Sequence, residues 1–191
     1  MAKLPELDLS QIPEMAEAAK RIQESRGWVS NLMKTMAHSP EGVKRHMAYG
    51  HYLRFETDLT EVQRELTICA TVRNVDYGWK HHAGLLKQLG ISDAQMATLK
   101  KGEVPEGLSP ADSALCKFIF AFSSYKGIPD EVLAEARKYF NERQIIDMSL
   151  LSAYYLGSGA MIVGFEVQLE PKEVLQLELD WQTKRPHSSV R

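Results

Sequence analysis

Cysteine is scarce in this 191-residue chain: only Cys69 and Cys116 are present, far apart and each inside an apolar helical pattern. Both are therefore expected to be reduced, buried thiols of a cytoplasmic protein. The opening segment MAKLPELDLSQIPEM lacks the apolar run of a secretory signal and carries acids and two prolines instead. No excess of one charge sign exists, since the net charge is -2 and no basic stripe or tail is visible. That argues against nucleic acid as a partner. One uncharged stretch, Met148 to Phe165, just reaches the ~18 residues of a membrane span. Its serines, glycines and tyrosines fit a central buried helix better, so no membrane partner is expected.

Metal and cofactor signatures are missing as well. His46 and His51 lie five apart, not at the i, i+4 spacing that brings two imidazoles to one metal, and no carboxylate cluster accompanies them. Gly157-Ser158-Gly159 sits inside a helical pattern rather than after a strand, so it is not a dinucleotide loop. Small residues there suit close helix approach. The expectation is no metal and no cofactor.

What the chain has in abundance is helix punctuation. Thr60 with Gln63 and Ser92 with Gln95 form capping boxes, and Asn141 with Gln144 caps a long helix. Ser39-Pro40 and Ser109-Pro110 place a cap before a first-turn proline. Ser10 is expected to open a helix running to Ser25 and stopped by Gly27; Gly90 and Gly102 end two others. No segment alternates apolar and polar residues over a strand's length. The reading is all-α: a single-domain helical bundle of about eight helices. Residues 1–30 form an N-terminal helical arm, 31–170 the main domain and 171–191 a C-terminal extension. That extension is either an arm packing on a neighbouring subunit of a homo-oligomer or a frayed tail, and Leu175, Leu179 and Trp181 favour the arm.

The chemistry concentrates in Val75-Asp76-Tyr77-Gly78-Trp79-Lys80-His81-His82. His82 shares a helical stripe with Leu85, Leu86 and Leu89, and with Trp79 behind it, so it faces inward. His81 shares its face with Tyr77, Gly84 and Gln88 and is expected to be partly exposed. On the preceding helix, Glu65 repeats with Ile68 and Val72, while Val62, Leu66, Cys69 and Ala70 make the other side apolar too. A carboxylate there has little water and needs a donor. A short link near Asn74–Asp76 makes the two helices antiparallel neighbours, which brings Glu65 alongside His82. Such a pair is either a proton relay or a structural buried ion pair. Tyr154 and Tyr155 are read mainly as core aromatics with hydrogen-bonded tips.

The run from Arg64-Glu65-Leu66 through Tyr77-Gly78-Trp79-Lys80-His81-His82 to Leu89-Gly90-Ile91-Ser92 resembles the carboxymuconolactone decarboxylase and alkylhydroperoxidase D-like family. The similarity spans roughly Leu32 to Leu169, with Tyr-x-Trp-x-x-His as its most specific element. It implies an alkylhydroperoxidase D-like all-α fold that assembles as homo-oligomers, with His82 as the family histidine. Two departures stand out. The family's redox Cys-x-x-Cys is replaced by Val75 and Gly78, so its thiol chemistry is not expected. Counted back from Tyr77, the family's glutamate falls on Gln63, two residues from Glu65; a shortened inter-helix link reconciles the two.

The resemblance then implies a metal-free decarboxylase-like lyase or isomerase acting on a carboxylated lactone or similar small organic acid. His82 and Glu65 are its expected catalytic residues, with Tyr77, Trp79, His81 and His51 shaping the pocket. No cationic group for the substrate's carboxylate is evident in the pattern; Arg54, Arg73 and Lys80 are the candidates. The competing readings are a thiol peroxidase through Cys69 or Cys116 and a non-catalytic small-molecule-binding oligomer.

Overall fold

A computed structural model describes residues 2–184. Among them there are ten α-helices and one 3-10 turn: α1 (Ala16–Arg26), α2 (Asn31–Met36), α3 (Pro40–Phe55), α4 (Glu61–Val72), α5 (Asp76–Gln88), α6 (Asp93–Lys100), α7 (Pro110–Phe122), α8 (Asp130–Ala136), α9 (Glu142–Gly164) and α10 (Lys172–Lys184), with the 3-10 turn at Leu9–Gln11. No strand occurs among the described residues.

Helix starts follow the punctuation. Thr60, Ser92 and Asn141 each form a complete capping box with Gln63, Gln95 and Gln144, satisfying backbone donors at the first turn. Gly27 closes α1 with φ at 77°, a left-handed conformation that glycine adopts without steric cost. The first helix starts later than Ser10. Asp8 caps a 3-10 turn there instead, and Pro13, which has no N–H to donate, precedes the start of α1 at Ala16. Two further helices exceed the expected eight. The six residues of α2 are too few to show a period, and the second, α10, is the segment read as an outgoing arm.

The core is built around α4, which is buried on every side from Arg64 to Val72. It packs against α5, α7 and α9. Leu66, Ile68, Cys69, Ala70, Leu86, Leu115, Ile119, Met148 and Leu151 are all fully buried in one cluster. Each such leucine or isoleucine contributes about 1.5–3 kcal/mol by leaving water. The long helix α9 is apolar enough to cross a membrane by length and composition (mean hydropathy 1.3 over its best window). In this fold it is a core helix, contacting α3, α4 and α7, with Ser152 wholly buried and bonded at 2.8 Å to Thr71 of α4.

The C-terminal helix folds back on its own chain. It lies along α5, where Gly84 leaves room for Leu179: a Cβ at position 84 would sit 3.4 Å from a Leu179 methyl. The apolar face containing Leu179 is thus used inside the chain, while Leu177 stays half exposed. For residues 171–184 this differs from the outgoing arm expected; the rest of that extension, 185–191, lies outside the described residues.

Candidate active site

Antiparallel packing of α4 and α5 brings Glu65 and His82 together. Glu65 Oε2 accepts from His82 Nδ1 at 2.8 Å, and both side chains are about 6–7% exposed. Burial alone would raise the Glu65 pKa. The facing His82 and the nearby guanidinium groups of Arg54 and Arg64 outweigh that and hold it below the ordinary carboxylate value. Because Nδ1 is committed to Glu65, Nε2 is left for the cavity that His82 lines; it has no bond to another described residue.

That cavity has a volume of about 90 Å³. Its aromatic walls are Trp28, His46, Tyr77, His81, His82, Tyr154 and Tyr155, with Leu32, Val72 and Ile162 filling between them. Tyr155 meets the His82 ring edge-on at 5.1 Å between centroids. Among the described residues no lysine or arginine lines it, and its one acid is Glu178. A second groove, about 880 Å³ and open to solvent, runs between the N-terminal segment, α1 and Glu170 on the far side of Trp28.

His81 is a partly exposed residue whose ring is nevertheless enclosed. Its side chain is only 6% exposed, clamped between Glu170 through Nε2 (2.8 Å) and Glu178 through Nδ1. Its ring is stacked on Tyr77 at 4.5 Å and faces Trp28 at 5.9 Å. Desolvation would lower the His81 pKa, but the two carboxylates raise it to about 9, so the ring is an imidazolium at neutral pH. Glu170 is also gripped by the Tyr77 hydroxyl at 2.6 Å and by the Asn31 backbone N–H at 2.6 Å. Burial and that neighbouring carboxylate keep the Tyr77 phenol protonated. Chain segments some 90 residues away in sequence thus close one wall of the cavity.

Other expected pocket residues fall elsewhere. Trp79 is half buried against the main core, with the Lys100 ammonium 4.8 Å above its ring, and it does not line the cavity. On a helix of 100° steps, its stripe with His82 is wide enough for the two rings to diverge, and Trp79 turns toward α6. His51 stands on the exposed end of α3 beside Glu56 at 3.6 Å and Phe55, outside the cavity. Tyr77 does line it. Of the cations, Arg73 donates to the Ala70 carbonyl and lies over Phe120, and Lys80 is exposed. Arg54 is buried close enough to Glu65 and Tyr155 to bias their ionisation; its Nη2 has no partner among the described residues.

His46, Ser158 and Tyr154 enter the site from α3 and α9. The His46 ring lies on Tyr154 (4.3 Å, 21°) with Nε2 at 3.4 Å from Ser158 Oγ. Trp28, Glu170 and Glu178 were not legible as site residues because their contacts span the whole chain.

The two thiols lie outside the cavity and are 0% exposed. Burial raises both pKa values, that of Cys116 to about 12 and that of Cys69 well above the ordinary thiol range. Gly78 is wedged on Val72: a Cβ would lie 3.0 Å from the valine Cβ. Val75 packs 3.3 Å from the Cβ position of Gly159. The packing is adapted to the residues present.

No family model matches the chain, and no curated protein does. Among solved structures, an uncharacterized peroxidase-related protein from Ralstonia eutropha JMP134 with an alkylhydroperoxidase AhpD core superposes at a TM-score of 0.77 and 19% identity, covering 93% of this chain and 96% of that one. A cysteine-to-alanine variant of a debrominase, in complex with 2,3,4-tribromopyrrole, gives 0.74 and 15%, covering 93% and 95%. A protein of unknown function from Agrobacterium tumefaciens, a putative antioxidant defence protein, gives 0.62 and 17%, covering 71% and 95%. The chain therefore has the alkylhydroperoxidase D-like all-α fold. At these identities the likeness extends to the fold, and activity has to be argued from the site.

Proposed function

We propose that this protein is an acid–base enzyme of the lyase or isomerase type, moving a proton on a small unsaturated lactone or related carbonyl compound. The observation that carries the reading is the buried Glu65–His82 pair with Nε2 left to an aromatic cavity. Glu65 fixes the orientation of the imidazole and stabilises it whenever both ring nitrogens hold a proton. Nε2 then exchanges a proton with the carbon skeleton conjugated with a carbonyl, between aromatic walls that leave the cavity partly open.

The cavity chemistry favours an uncharged ring. Among the described residues no lysine or arginine lines the walls while Glu178 does, so a substrate carboxylate meets no cation from them inside. A carboxylated lactone is therefore supported only if its carboxylate stays at the mouth. A flat five-membered ring is compatible with stacked walls of this kind, and 2,3,4-tribromopyrrole in the structurally similar debrominase has that shape. Thiol peroxidase chemistry, which requires an accessible thiolate, finds none in Cys69 or Cys116.

A panel of β,γ-unsaturated γ-lactones, with and without a carboxyl group, tests this by ultraviolet detection of the conjugated product. The wild type should convert at least one uncharged member, and His82→Gln should slow that conversion about 100-fold or more. Conversion at an equal rate by His82→Gln, or binding without conversion by the wild type, contradicts the proposal.

A further inference from the structure

Three imidazoles line the cavity, and they are not equivalent. His82 is backed by Glu65 and His81 is held by Glu170 and Glu178, whereas His46 has no carboxylate partner among the described residues. We propose that His46 is a second catalytic acid–base group, working opposite His82 on a substrate held between them. The inference rests on the acid–base reading of this cavity and assigns the residue that handles the other proton.

The surroundings of His46 are built in some detail. Its ring is stacked on Tyr154, and the far end of Tyr154 lies across Gly50, one turn further along α3. A Cβ at position 50 would sit 2.8 Å from the phenol Cζ, so only glycine lets the tyrosine take this place beside the imidazole. Ser158 has one hydroxyl proton, and it is donated to the Tyr154 carbonyl at 2.9 Å. The serine oxygen therefore faces His46 Nε2 at 3.4 Å as an acceptor. That orientation places the proton of the neutral ring on Nε2 and leaves a lone pair on Nδ1. Burial without a counter-charge lowers the His46 pKa and keeps the ring neutral near pH 7. His82, by contrast, has the Glu65 carboxylate on Nδ1, so the two rings meet the cavity with different partners behind them.

The roles follow for a β,γ- to α,β-unsaturated lactone. The α C–H bond breaks and its proton goes to the His46 lone pair. The electron pair passes through the carbonyl as a dienolate, and a C–H bond forms at the γ carbon with the proton from His82 Nε2. His46 then carries one proton more and His82 one fewer. His46 is partly exposed at the cavity wall and releases its proton to water, and His82 takes one up.

The experiment measures isomerisation of an uncharged β,γ-unsaturated γ-lactone by wild type, His82→Gln, His46→Gln and His46→Ala, with lactone binding followed by NMR titration. His46→Gln should lose about 100-fold in rate while binding changes less than twofold. Imidazole added to His46→Ala should restore part of the rate, because the site is open to solvent. Gly50→Ala should lower the rate about tenfold by displacing Tyr154. If His82→Gln abolishes turnover but His46→Gln retains it, His46 has no such role and the Glu65–His82 reading stands alone. If His46→Gln is slow only because the lactone no longer binds, or imidazole rescues nothing, His46 is a wall and not a proton carrier. If the wild type binds the lactone without converting it, the acid–base reading itself fails.

Discussion

Glu65 and His82, seventeen positions apart on consecutive antiparallel helices, meet at 2.8 Å in a position from which water is almost excluded. A buried carboxylate with an imidazole partner is costly to break, since removing one member strands the other in a medium that solvates charge poorly. Glu65→Ala should therefore destabilise the fold by about 3 kcal/mol or more. Glu65→Gln, which still accepts from Nδ1, should remain folded and lose about 100-fold in lactone turnover. Urea denaturation and initial rates on the two variants separate these effects.

The clamp on His81 gives stability a pH dependence with a definite sign. The folded-state pKa, about 9, is above the ordinary 6.5, so the stabilisation is complete below pH 6.5 and is lost as the pH rises through 9. Glu170 acts in the opposite direction. Its folded value is lowered from 4.5 by the His81 and Tyr77 bonds, against burial, so its contribution is lost as the solution is acidified below 4.5. Denaturation free energy should fall by about 3 kcal/mol between pH 6.5 and 9.5 in the wild type. In His81→Gln that alkaline decline should flatten.

The helical face of His82 and the depth of Glu65 were legible because both are encoded within single helices joined by a short link. The capping boxes at Thr60, Ser92 and Asn141 were legible for the same local reason. His81 was expected to be partly exposed, and as a residue it is, but nothing near it in sequence indicates that its ring is enclosed. Its cover comes from Glu170 and Glu178, 89 and 97 positions away. His46 was weighed as a metal ligand, whereas its place in the cavity depends on Tyr154 and Ser158 of α9. Trp79 and His51 show the converse limit: being near the motif, or being a histidine on a nearby helix, does not bring a side chain to the cavity.

Docking of α10 hinges on Gly84. A branched side chain there would displace Leu179 and pull Glu178 away from His81. In Gly84→Ile, limited proteolysis should cut within Lys172–Lys184 at least tenfold faster than in wild type, and amide exchange in that helix should rise while α4 stays protected.

The thiols should be inert in the native state. Cys69 and Cys116 are fully buried with raised pKa values, so a thiol-reactive chromogen should label neither until denaturant is added. Cys69→Ala and Cys116→Ala should each leave lactone turnover within about twofold of wild type wherever the variant folds. Each deletion removes a small buried side chain, at a cost of about 1 kcal/mol.

The most direct test of the central claim is proton exchange in D2O, followed by 1H NMR on an uncharged β,γ-unsaturated γ-lactone. The account requires that wild-type protein incorporate deuterium into the ring carbons next to and conjugated with the carbonyl. With His82→Gln, incorporation at the γ carbon should be at least 100-fold slower while lactone binding is unchanged. Equal incorporation by the two proteins would contradict it.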